Sequence, residues 1–253
     1  MESNGRTTGI REEFLLMDEG VSGLCLCPDL HDPENENKDL MWLYKRWSTI
    51  PDQTHSCNVA ITDGLCRYYP DTDALITFER DVAIGVKTAD CVPILVYAPD
   101  KQGIAAIHAG WKGTLGGIVD NVMDSLEEKG IDPSQMKIVF GPSISKQVYE
   151  VSQELADSFK EAGFGAYVSS PNGQKEKTHI DLQGVNMERF LRRGVKPENI
   201  KLHDGCSYSS KMNDGTPMYA SHRRSGGAPA RMLTCIMLLS RSEKDYYNKI
   251  LSK

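Results

Sequence analysis

The sequence predicts a single α+β domain, with a mixed sheet flanked by helices, and three observations lead there. Its 253 residues are 40% hydrophobic and 25% charged, an ordinary globular balance with enough apolar mass for one sizeable core. Short runs rich in β-branched residues fill the first half, whereas helical patterns and strand runs mix in the second without strict βαβ alternation. The polar stretches "DLHDPENENKD" and "SSPNGQKEKT" are loops rather than domain joints and no repeat appears, so residues 1–253 are expected to form one unit.

The elements follow in order. Residues Asp39–Ser48 place Leu40, Trp42, Leu43 and Trp47 on one helical stripe after an acidic lead-in, which predicts a helix with its tryptophans inward. The runs "NVAIT", "DALITF", "VAIGV", "VPILVYA" and "GIAAIHA", bounded by Gly, Pro and Asp, predict strands between Asn58 and Ala109. Helices are expected over Gly117–Lys129, Ser152–Ala162 and Asp181–Arg193, each with a glycine just past its end: Gly130, Gly163 and Gly194. "KIVFG", "NIKLHDG", "MYASHRR" and "MLTCIMLLS" supply further strands.

A formal charge of −6 argues against a nucleic-acid-binding surface and favours small-molecule partners, with no protein partner evident. The first residues carry neither the basic flank nor the apolar run of a signal peptide, and no window is apolar enough to span a membrane, so a cytoplasmic protein is expected. Seven cysteines without a regular framework read as reduced thiols or metal ligands rather than disulfides.

Among the six histidines, His55 precedes a strand and His108 closes one, while Cys91 lies between two strand runs. Strand ends hold side chains with small positional error, as a metal site requires. Two imidazoles and a thiolate suit zinc with a fourth position left open. Taken singly, Cys91 also fits a small buried hydrophobe and His108 a core histidine bonded to a carbonyl, and spacing alone leaves both readings standing. His31, His179 and His203 have nothing distinctive around them.

Two cationic segments could seat an anion. The glycine-rich turn "HAGWKGTLGGIVD" offers backbone N–H groups and Lys112, and "SHRRSGG" sets Arg223 and Arg224 beside glycines. The first is no phosphate-binding P-loop, because Gly113 follows the lysine. A tight turn and solvated surface arginines are the plain structural alternatives. Asp90, beside Cys91, is expected to act as a proton shuttle, to orient a ligand, or to stabilise a turn.

Taken together, "QTHS" at Gln53–Ser56, "TADCVPIL" at Thr88–Leu95, "HAGWKGT" at His108–Thr114, "GPSIS" at Gly141–Ser145, "SHRR" at Ser221–Arg224 and "ARM" at Ala230–Met232 resemble the laccase-domain family, also called the multicopper polyphenol oxidoreductase or YfiH-type family. The resemblance implies the YfiH-like fold and a zinc site on His55, Cys91 and His108. It also implies phosphorolysis of purine nucleosides (adenosine, inosine, guanosine and methylthioadenosine, with phosphate) and deamination of adenosine. Three departures bear on the loops: Ser56 stands where the family usually has glycine, Ser143 where it often has cysteine, and "PARM" where it has "TGRM". The competing expectations are a copper-dependent polyphenol oxidase, with copper in the same three ligands, and a non-enzymatic zinc-stabilised binding protein.

Overall fold

A computed structural model describes residues 10–18, 20–28, 48–170, 177–227 and 230–240. It is a mixed α/β fold in which two large sheets stack and helices cover one outer face. The five-stranded sheet runs in the order β1 (Ile10–Asp18), β2 (Val21–Pro28), β14 (Met232–Leu238), β6 (Ala83–Thr88) and β3 (Ser48–Thr49). The six-stranded sheet runs β13 (Ile200–Lys201), β9 (Lys137–Phe140), β7 (Val92–Ala98), β8 (Gly103–Ala109), β5 (Ala74–Thr77) and β4 (Val59–Ile61). Each is mixed, since β3 pairs with β6, β4 with β5 and β13 with β9 in parallel while the other pairs are antiparallel. A small sheet joins β10 (Glu150–Val151), β12 (Thr178–Ile180) and β11 (Val168–Ser169).

Strand β7 explains the layering. All seven of its residues are buried, because successive side chains point to opposite faces and both faces are covered. Ile94 and Val96 pack with Ile118, Val122, Leu126 and Phe190 on the helical side, and Leu95 and Tyr97 with Ile84, Val86 and Ile236 of the other sheet. Fully burying each such aliphatic side chain contributes about 1.5–3 kcal/mol before chain entropy is subtracted.

The helices are α1 (Trp111–Gly116), α2 (Ile118–Glu127), α3 (Gln153–Phe159), α4 (Leu182–Arg192) and the single turn α5 (His222–Ser225). Gly130, Gly163 and Gly194 all have positive φ, as the expected stops require. Asp181 caps α4 by accepting from the Gly184 amide. No helix among the described residues is long and apolar enough to cross a membrane.

Some sequence expectations need correction. The glycine-rich turn is already helical from Trp111, with Gly117 in the left-handed conformation between α1 and α2. The "MYASHRR" segment is no strand. Ser221 accepts from the Arg224 amide and starts a helical turn that Gly226 ends at φ 64, so serine and glycine act as cap and stop around a four-residue element. "NIKLHDG" contributes only the two residues of β13. Ser48 lies in β3, and the rest of the tryptophan-bearing helix expected at Asp39–Ser48 falls outside the described residues. The hairpin β1–β2 was not anticipated, because Glu12 and Glu13 interrupt its apolar alternation.

Candidate metal centre

The antiparallel register of β7 and β8 pairs Val92 with Ala109 and Pro93 with His108. Cys91, one residue before β7, and His108, one before the end of β8, therefore meet at the same end of the sheet. On the other side of β8, β5 pairs Ala74 with Ile107. This sets Asp73 beside His108, and the Asp73 carbonyl accepts from the His108 amide at 2.8 Å.

Asp73 is fully buried and organises the third candidate donor, His55. Its carboxylate accepts from three successive amides, those of Thr54 (3.1 Å), His55 (3.1 Å) and Ser56 (2.7 Å). Converging them on one group curls the chain and places His55 in the left-handed region at φ 64, a strained conformation for a non-glycine residue that the hydrogen bonds offset. Ser56, the departure from the family's glycine, adds a hydroxyl bond to Asp73 Oδ2 at 2.8 Å. Sequence reasoning missed Asp73. The only trace of it was an acidic residue at the head of an apolar strand, a pattern shared with many turns.

The result is a three-donor cluster. The donor atoms of His55, Cys91 and His108 all lie within 4.8 Å of one another, with Cys91 Sγ 3.7 Å from His55 Nε2. Donors around a tetrahedral zinc stand about 3.5 Å apart, given the usual Zn–S and Zn–N lengths. His108 donates through Nδ1 to Asp73 Oδ1 at 2.5 Å, which leaves Nε2 for the cluster. Gly110 makes room: a Cβ there would stand 2.7 Å from His55 Cδ2 and 3.1 Å from Cys91 Sγ. The donor set and spacing fit a metal ion with three protein ligands and one open position.

The electrostatics agree. Burial opposes ionisation of Cys91, yet hydrogen bonds from His108 and His55 together with their charge pull the thiol from 9.0 down to about 6. Burial likewise disfavours the His108 imidazolium, but bonds to Asp73 and Cys91 raise it from 6.5 to about 9. Desolvation would push the Asp73 carboxyl up, and His108 and Ser56 hold it below the usual carboxylate value.

The three donors line a cleft of about 730 Å³ with Asp52, Gln53, Lys87, Asp90, Trp111, Tyr149, His222, Arg223 and Arg231. Arg223 faces this cleft, its guanidinium 5.4 Å from the Tyr149 ring and donating to the Glu150 carbonyl at 3.1 Å. Arg224 does not line it. Its guanidinium donates to the carbonyls of Ser207 (2.6 Å), Tyr208 (2.9 Å) and Tyr219. Lys112 is exposed on α1, with Nζ 5.6 Å from the Trp111 ring, and is not among the lining residues. The Asp90 carboxylate accepts from the Ser207 hydroxyl at 2.6 Å and from the Arg223 amide at 2.7 Å. Sequence reasoning missed Lys87, Arg231, Trp111 and Tyr149, which are unremarkable in their local stretches and gather only in the fold. His203 is tied to Glu13 at 2.7 Å, and His179 is buried in β12 away from the cleft; His31 lies outside the described residues.

Comparison with known proteins places these features in company. A family model described as "Multi-copper polyphenol oxidoreductase laccase" matches residues 35–239. The chain is 35% identical over 168 residues to "Adenosine deaminase RL5" of an unknown prokaryotic organism, covering 62% of this chain and 64% of that protein. It is 34% identical over 166 residues to a purine nucleoside phosphorylase of Deinococcus radiodurans, covering 66% and 61%. The matched segment thus spans less than two thirds of either relative. A purine nucleoside phosphorylase of Bacteroides thetaiotaomicron is 35% identical over 200 residues, covering 75% of this chain and 72% of that one. Among solved structures, the hypothetical protein YfiH of Bacillus licheniformis has the same fold, with a TM-score of 0.73 at 23% identity over 87% of this chain and 93% of its own.

Proposed function

The chain belongs to the multi-copper polyphenol oxidoreductase laccase family, and from that membership we propose that it is a zinc-dependent purine nucleoside phosphorylase with adenosine deaminase activity, built on His55, Cys91 and His108. The observation that carries this reading is the joint lining of one cleft by the three-donor cluster and by Arg223. The same cleft thereby offers a metal seat and a guanidinium fork suited to phosphate. Relatives named for each of the two activities support it.

Zinc bound there would supply Lewis acidity and bring the pKa of water towards neutrality. The chain's own residues do the rest. Asp73 fixes the tautomer and direction of His108, and Arg223 binds phosphate beside the ribose. The Trp111 ring offers a flat apolar face to a purine, as aromatic side chains do. Burial pushes the Tyr149 phenol above its usual range, so it stays a neutral hydroxyl that can donate to the bound nucleoside.

Phosphorolysis exchanges the glycosidic C–N bond for a C–O bond to phosphate, giving free base and ribose 1-phosphate. Deamination replaces the 6-amino group of adenosine by oxygen from water, giving inosine and ammonia. Copper chemistry of the multi-copper kind does not fit the donor inventory. Six histidines in the chain, and one cluster of three or more His, Cys or acidic donors among the described residues, do not furnish both a blue-copper centre and a trinuclear site.

The test is chromatography of adenosine incubated with the zinc-loaded protein, with and without phosphate. Adenine and ribose 1-phosphate that appear only with phosphate, and inosine in either case, are expected. Absence of both products, with phenol oxidation after copper loading, would replace this reading by the oxidase; no turnover of any kind would leave a metal-stabilised binding protein.

A further inference from the structure

Asp90 stands at a junction of the cleft. Its backbone adopts φ 92, the left-handed side that non-glycine residues rarely occupy. Its side chain is largely buried and both carboxylate oxygens are engaged: Oδ1 accepts from the buried Ser207 hydroxyl at 2.6 Å and Oδ2 from the Arg223 amide at 2.7 Å. Its carbonyl accepts from the Ile144 amide at 2.9 Å. The next residue is Cys91. One residue thus joins the metal-ligand strand end to the turn α5 that carries Arg223. That turn has only four residues, too few to hold its own place by helical hydrogen bonds.

We infer that Asp90 is a positioning residue for the anion seat: its carboxylate sets where Arg223 starts, and so keeps the guanidinium at a set distance from the metal cluster. Two restraints then fix the far end of the side chain, the Glu150 carbonyl and the Tyr149 face. With the main chain held by Asp90, the fork has little freedom left. The geometry gives the carboxylate a positioning task, since each oxygen accepts a hydrogen bond from a neighbouring element. The inference rests on the phosphorylase reading only in taking the anion to be phosphate.

Three variants separate position from charge. Asp90→Gly removes the carboxylate without backbone strain, because glycine is at home at this φ. Asp90→Asn keeps both contacts, its amide oxygen accepting from the Arg223 amide and its NH2 donating to Ser207 Oγ, but it cannot carry a proton as an acid or base. Asp90→Glu keeps the charge and both acceptor oxygens but moves them outward by about one C–C bond.

The readouts are equilibrium dialysis of inorganic phosphate against each zinc-loaded protein, metal analysis of the same samples, and KM for phosphate against kcat. Asp90→Gly is expected to weaken phosphate binding roughly tenfold or more, the scale of a misplaced binding group, with zinc still stoichiometric. Asp90→Asn should stay within about threefold of wild type, as its two retained hydrogen bonds imply, and Asp90→Glu should resemble the glycine variant. The reverse order, Glu competent and Asn impaired in kcat, would overturn the inference and assign Asp90 to proton transfer. Wild-type phosphate affinity in Asp90→Gly, or zinc loss as its main defect, would overturn it as well. A wild type that binds phosphate but turns over no nucleoside sinks the phosphorylase reading alone; a wild type that binds no phosphate sinks this one.

Discussion

Asp73 and His108 face each other across neighbouring strands with carboxylate and imidazole 2.5 Å apart, and the same carboxylate gathers the amides on either side of His55. One buried group therefore sets the direction of two of the three side chains that could hold a metal ion.

Replacing Asp73 by Asn should weaken zinc binding roughly 10- to 100-fold, the usual cost of losing a carboxylate behind a ligating histidine. An amide has one acceptor oxygen, and its NH2 would confront either the His108 or the Ser56 donor. Chelator competition on the purified variant checks this, and unchanged affinity would remove Asp73 from the metal centre.

Gly110→Ala should lower metal affinity while leaving the metal-free fold nearly as stable as wild type. The backbone there is at φ −74, which alanine adopts freely, but the added methyl would press on His55 and Cys91 together. Comparing thermal unfolding with and without zinc should show the loss only in the zinc-induced increment.

Cys91 has its thiol lowered to about 6. A lowered thiol pKa means more thiolate at neutral pH, so in metal-free protein alkylation of Cys91 should be half-maximal near pH 6 and at its plateau by pH 7, where an ordinary cysteine has barely begun to react. Mass spectrometry of iodoacetamide-treated samples across pH follows this, and zinc should protect the residue around neutral pH, where thiolate and imidazole can bind it.

The two neighbouring arginines should behave differently. Arg223→Ala is expected to raise the phosphate requirement roughly tenfold or more with zinc retained. Arg224→Ala should instead cost about 2 kcal/mol of stability, because it leaves the Ser207, Tyr208 and Tyr219 carbonyls without their shared donor. Parallel denaturant titrations and phosphate-dependent kinetics separate the two. Equal effects on stability would contradict the assignment.

How much of this was legible in the sequence differs by feature. The alternating runs "VPILVYA" and "GIAAIHA" and the three glycine-ended helices predicted strands and helices that the structure contains, because side-chain period and left-handed glycine are local properties. The three candidate donors could be named, but their meeting depends on the β7–β8 register, which spacing does not encode. Which arginine enters the cleft depended on whether Ser221–Arg224 is strand or helical turn. There the serine cap and Gly226 prevailed over a run that merely adjoins apolar residues. Asp73 escaped the sequence reading, and Asp90 was named without its partners, for one reason: those partners lie 17 to 133 positions away along the chain.

The β7–β8 hairpin also bears on the order in which the site assembles. Its turn is short, so Cys91 and His108 are brought together by a local event of the kind that forms in microseconds. His55 comes from outside the hairpin, and the hydrogen bond that holds its backbone requires β5 docked with Asp73 in position. If the hairpin forms first, a folding chain would present Cys91 and His108 as a two-pronged site before the third donor arrives. Any metal captured early would be retained only by chains that finish docking β5, so that tight metal retention would report completed folding.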